Sequence, residues 1–145
     1  RFRNVTGVQT CALPILHIYR EHYQAGLQTQ RHGELINELS AGEQIDWTVA
    51  DPEDLQARIT LLQDCEIENI PAYKAVREGI DAVSERLLPD IEGRPHLLIH
   101  ENCRNLIREL EQYRWAAGEK EQPLKQDDHA VDALRYIVLM LKRLG

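Results

Sequence analysis

Strand-like and helix-like periodicities alternate along this chain, and that alternation limits the folds open to it. Residues 15–23 mix β-branched, aromatic and charged side chains as a strand does. Residues 29–39 place Leu35, Ile36 and Leu39 on one side of a helix, and Ala41-Gly42 stops it. Residues 45–50 alternate Ile45, Trp47 and Val49 with Asp46 and Thr48, which is strand spacing. Pro52 then opens a helix over about 53–63. Residues 67–72 predict only a weak strand or loop. Over 73–88, Val76, Ile80, Val83 and Leu87 step by four, three and four, an amphipathic helix despite Gly79. Leu97-Leu98-Ile99 is a short apolar strand. Residues 102–115 carry Cys103, Leu106, Ile107, Leu110 and Tyr113 on one helical stripe. A polar loop over 116–127 leads to a last helix at 129–144, apolar around most of its girth and so expected to be largely buried. The order predicts an α/β fold with helices covering a sheet.

The 145 residues suffice for one domain with a hydrophobic core. With 43% hydrophobic and 28% charged residues, the composition is that of a globular chain. The net charge of −7 argues against a domain that holds nucleic acid by bulk electrostatics. It leaves room for a nuclease, because carboxylates that bind metal add negative charge and the ions restore attraction to phosphate. No apolar run is long enough to span a membrane. Cys11, Cys65 and Cys103 form neither a disulfide framework nor a zinc pair, and point to a reducing compartment. Residues 1–14 have neither helical nor strand periodicity, and 8–15 resemble translated sequencing-adapter read-through. Residues 1–15 are therefore expected to be a non-native or disordered leader, with a partial domain over 16–145.

Two places hold residues able to do chemistry. Asp51 closes a predicted strand, and ligand sites in open α/β sheets lie beyond the carboxyl ends of strands. A carboxylate there can hold Mg2+ or Mn2+. Its simpler reading is a helix N-cap before Pro52. The second place is Asp127-Asp128-His129-Ala130-Val131-Asp132. At the start of a helix, Asp128 and Asp132 share a face, and His129 can converge with Asp132. Oxygen ligands with one imidazole suit Mg2+ or Mn2+ better than zinc. Capping accounts for Asp127 and Asp128. It accounts less well for Asp132, which opens an apolar stretch and needs a metal or a partner such as Arg135. Lys120 and Lys125 on the preceding loop could touch phosphate, although a solvated loop is the simpler reading. Glu109 and Tyr113 read as packing or surface, and Cys65 and Cys103 as core. No phosphate-binding glycine loop is present, so ATP hydrolysis is not expected.

The run Lys125-Gln126-Asp127-Asp128-His129-Ala130-Val131-Asp132-Ala133-Leu134-Arg135-Tyr136 resembles the last motif of the nuclease domain of viral terminase large subunits. Trp47-Thr48-Val49-Ala50-Asp51-Pro52 resembles the family's second catalytic strand, and the segments around Val76–Val83 and Asn102–Trp115 resemble its helices. The resemblance spans about residues 16–145. It implies an RNase H-like mixed sheet flanked by helices, lacking its first strands. It also implies a two-metal site for Mg2+ or Mn2+ and hydrolysis of phosphodiester bonds. By resemblance Asp51, Asp128 and Asp132 are metal ligands, with His129 beside them as a catalytic residue. The implied setting is tailed-phage DNA packaging in the host cytoplasm. Double-stranded DNA is cut there to genome lengths, with a terminase small subunit and a portal as partners.

The family's first catalytic Asp has no counterpart here, since no Asp or Glu precedes Ile15. The chain by itself is therefore expected to be inactive or nearly so. Two rivals stand beside this reading. One is another RNase H-like nuclease, of resolvase or transposase type. The other is a non-catalytic α/β interaction module whose acids are caps and ion-pair partners.

Overall fold

The alternation of periodicities becomes a mixed α/β structure. A computed structural model describes residues 14–113 and 129–144. Among these the order is β1 (Leu16–Ile18), α1 (Thr29–Leu39), β2 (Val49–Ala50), α2 (Leu55–Cys65), β3 (Ile70–Pro71), α3 (Val76–Leu87), β4 (Leu97–Ile99), α4 (Arg104–Gln112) and α5 (His129–Leu144). The strands form two separate parallel pairs, β1 with β4 and β2 with β3. The chain divides into two compact units. One runs to Glu21 and resumes at Ala75; the other is His22–Lys74.

In the first unit, β1 pairs with β4 in the register Leu16 with Leu97 and Ile18 with Ile99. Leu16 and Leu97 are buried, whereas Leu98 is exposed. The strand expected over 15–23 is only three residues long because β4 offers three residues to pair with. Arg86, near the end of α3, fastens the strand starts. Its backbone carbonyl accepts from His96, and its Nη1 donates to the carbonyls of Pro14 (2.8 Å) and His96 (3.3 Å). Burial pushes the Arg86 guanidinium below its ordinary value, which Glu85 partly offsets. It stays charged, since guanidinium loses its proton only far above neutral pH. The core lies where α5 packs on α3 and α4. Ala82, Val83, Cys103, Leu106, Val131, Leu134, Val138, Leu139 and Leu141 are all buried there. The α5 helix is less enclosed than its composition predicts, since His129, Ala133 and its last turn are exposed. A Cβ on Gly79 would lie 3.4 Å from Arg135 Cβ, an ordinary contact.

In the second unit, β2, α2 and β3 form a small strand–helix–strand unit, and α1 packs on α2. Of the strand expected over 45–50, only Val49 and Ala50 pair, and Ile45 is exposed. A strand exists only where a partner takes its hydrogen bonds. The apolar side of α1 is not its buried one. Ile36 and Leu39 are exposed, and the buried position is Gly33. It is buried because the α2 terminus comes so close that a Cβ on Gly33 would collide with Cys65. The helix expected to open at Pro52 starts later, at Leu55, with Asp54 as its cap. Asp54 accepts from the Ala57 amide at 3.0 Å, while Pro52 lies in the turn before. At the far end Glu66 takes a left-handed conformation (φ 57°) and closes the helix. Asn69 then ties the following loop back, accepting from Arg58 Nε and donating to the carbonyls of Arg58 and Ile67. The loop before α1 is held to it by His22 Nε2 and His32 Nδ1, 2.9 Å apart.

Candidate functional site

Asp51 follows β2 directly, at the carboxyl end of the strand as its position in the sequence implied. It does not cap α2; Asp54 does. Its Oδ1 instead accepts from the Glu53 amide at 2.9 Å and from Lys74 Nζ at 3.1 Å. Lys74 follows the neighbouring strand β3 and also reaches Glu53 Oε1 at 3.1 Å. The slight burial of Asp51 raises its carboxyl pKa. The Glu53 amide and the Lys74 ammonium outweigh that and hold it below the ordinary carboxylate value. A positive charge therefore already sits between Asp51 and Glu53, where a cation held by this pair would sit. With Asp51 side-chain exposure at 46%, the pair is solvent-screened.

The second candidate place is the first turn of α5. His129 is its first residue and is exposed. Asp132 is three residues on, with side-chain exposure of 25%, and its Oδ1 accepts from Arg135 Nη2 at 2.7 Å. The acid that opens the apolar stretch thus has the partner that desolvation demands. Arg135 is itself buried and lies over the Tyr136 ring at 5.7 Å. Asp127 and Asp128, with Lys120 and Lys125, lie outside the described residues. His129 and Asp132 belong to the first unit and Asp51 to the second.

The sequence reading missed Glu109. The expectation of packing or surface misses that it is 1% exposed and, among the described residues, the largest fully buried side chain. Its Oε1 accepts from the amides of Ala130 (2.8 Å) and Val131 (3.1 Å), so a residue of α4 caps α5. A helix start leaves its first amides unsatisfied and carries a partial positive charge, which a carboxylate answers. The signal was present. Glu109 is three residues after Leu106 and four before Tyr113, on the stripe that packs inward, and a buried acid requires partners. The core thiols follow expectation. Cys65 and Cys103 are buried, and burial first, then nearby carboxylates, push both above the ordinary thiol value. Neither is an activated nucleophile.

Carboxylate oxygens with one imidazole are donors that a hard cation such as Mg2+ or Mn2+ accepts. Among the described residues, no three His, Cys, Asp or Glu side chains gather closely enough to hold an ion. The donor chemistry therefore fits, while the described residues alone do not assemble a complete ligand set.

An α/β fold alone does not fix a function. Comparison with known proteins narrows it. The chain is similar to a protein named as the large subunit of terminase, from Escherichia phage T5, at 26% identity over 134 residues. The match covers 88% of this chain and 30% of that relative, so the chain spans under a third of its length. No protein-family model matches the chain, and no solved structure does.

Proposed function

We propose that this chain is the metal-dependent nuclease region of a DNA-packaging terminase large subunit, with an RNase H-like fold. The similarity to the phage T5 large subunit over most of the chain supports the terminase part of this reading. The run from Asp128 through Tyr136 supports it, since it resembles the last motif of that family's nuclease domain. In this reading Asp51, Asp128 and Asp132 hold Mg2+ or Mn2+, and His129 works beside them. The bound ions would lower the pKa of a water nucleophile and neutralise charge on the phosphodiester. Asp51 follows β2, and the start of α5, capped from α4, holds His129 and Asp132. The partners are double-stranded DNA, a terminase small subunit and a portal, in the cytoplasm of a phage-infected bacterium.

Cleavage by this chain alone is expected to be slow or absent, because the family's first catalytic Asp has no counterpart in the sequence. The first test is therefore binding. Calorimetric titration with Mn2+ should show an interaction that weakens in both Asp51→Asn and Asp132→Ala. Binding unchanged in both variants would assign these acids a structural role and overturn the reading. Plasmid nicking in Mn2+ is the second measurement, and a rate untouched by Asp132→Ala would place the chemistry elsewhere. The ion pairs of Asp51 with Lys74 and of Asp132 with Arg135 favour one competing reading, a non-catalytic interaction module. The same titration decides between them.

A further inference from the structure

We propose that Glu109 is a positioning residue that sets where α5 begins and how it is rotated, and thereby where His129 and Asp132 stand. The idea rests on reading the first turn of α5 as part of a metal-binding carboxylate site. Three observations support it. One carboxylate oxygen, Oε1, takes both the Ala130 and Val131 amides, at 2.8 and 3.1 Å. Two consecutive amides converging on one oxygen fix the helix start along its axis and around it. Second, Glu109 is 1% exposed, and its Oε2 is buried with no hydrogen-bond partner among the described residues. The side chain has no solvent into which it could swing. Third, α4 is itself clamped at its start, where Glu21 Oε1 accepts from the Asn105 amide at 2.8 Å. Glu21 comes from the segment after β1, and its Oε2 is also buried and unpartnered among the described residues.

The result is a relay of two carboxylates. Glu21 holds the start of α4, and Glu109, one turn further along α4, holds the start of α5. His129 immediately precedes the first capped amide, and Asp132 immediately follows the second. A side chain that orients these two residues without reaching solvent acts through them, as a support rather than a ligand.

The test uses the full chain in 15N NMR with the variants Glu109→Asp and Glu109→Gln. Asp is one methylene short of the α5 amides, whereas Gln keeps an acceptor oxygen without the charge. In wild type, the Ala130 and Val131 amides should be protected from hydrogen exchange. Glu109→Asp should lower that protection by about tenfold or more, and Glu109→Gln should fall between. The second readout is Mn2+-induced broadening of the His129 and Asp132 resonances. Half-broadening should need about tenfold more Mn2+ in Glu109→Asp, with partial rescue in Glu109→Gln, a pattern that a purely structural cap would not produce. If Glu109→Asp does not fold, Glu109→Gln alone decides through the positions of the Ala130 and Val131 amide signals. Amides that are unprotected in wild type, or unmoved in the variants, overturn the proposal. Broadening that is equal in wild type and Glu109→Asp also overturns it. Lost amide protection with no Mn2+ broadening even in wild type supports Glu109 as the residue setting α5 and sinks the metal reading instead.

Discussion

At the scale of the residue, the acids of this chain are defined by their partners. Asp51 is answered by Lys74, Asp132 by Arg135 and Glu109 by two backbone amides. The Asp51 case yields a measurable consequence. Its carboxyl is held below the ordinary value of 3.8, with the Glu53 amide and Lys74 outweighing a small burial effect. A depressed folded value means that the pairing adds stability above the unfolded value. That stability disappears as pH falls through the folded one. Lys74→Met should move the Asp51 titration, followed by carboxyl NMR, upward toward the ordinary value, although the Glu53 amide keeps part of the depression. It should also free the carboxylate pair for a cation, so Mn2+ should bind more tightly to the variant. An unmoved Asp51 titration would show that Lys74 does not contribute. Asp51 and Asp132 were both legible in the sequence as candidates. Their neighbours were only half so: Arg135 is three residues from its partner, whereas Lys74 is 23 from Asp51.

At the scale of the element, two helix glycines that look alike in sequence behave oppositely. Gly33 lies in α1, where a Cβ would strike Cys65 Sγ and Cβ and come within 3.1 Å of Leu61 Cδ2. Gly79 lies in α3, where the nearest atom to such a Cβ is Arg135 Cβ at 3.4 Å, an ordinary contact. Alanine gains roughly 1 kcal/mol of helix propensity over glycine at either site. At Gly79 that gain should survive, so Gly79→Ala should leave stability unchanged or raise it by up to about 1 kcal/mol. At Gly33 overpacking costs about 1–3 kcal/mol, which cancels or exceeds the gain. Gly33→Ala should therefore lower the urea midpoint or leave it flat, and a rise would show that α1 and α2 can move apart at little cost. The strands teach the same lesson. Their alternation was visible, but their lengths of two and three residues follow from the partner each one finds.

At the scale of the whole molecule, electrostatics set the terms of any encounter with DNA. A net charge of −7 repels phosphate, and the basic residues Lys74, Arg86 and Arg135 are engaged with protein groups. On the proposed reading, bound cations would supply the phosphate attraction that the net charge does not. In gel-shift experiments at physiological ionic strength, the chain should leave double-stranded DNA unshifted in EDTA. Mn2+ should bring a shift that Asp132→Ala diminishes. Tight binding in EDTA would reveal a basic surface and remove the need for metal. The chain also forms two compact units, one inserted between Glu21 and Ala75 of the other, where its length alone suggested a single domain.

The sequence by itself determined the α/β class, the presence and order of the helices among the described residues, and the bounds of β4. Those signals are local, being periodicities of apolar residues over one or two turns or a few alternating positions. It also singled out Asp51 and the turn around Asp132. The tertiary structure decided what periodicity does not encode: which strand residues pair, which face of α1 turns inward, and that Asp54 rather than Asp51 caps α2. It decided the role of Glu109 as well. That role depends on two amides 21 and 22 residues away, brought to one carboxylate oxygen by the packing of α4 against α5.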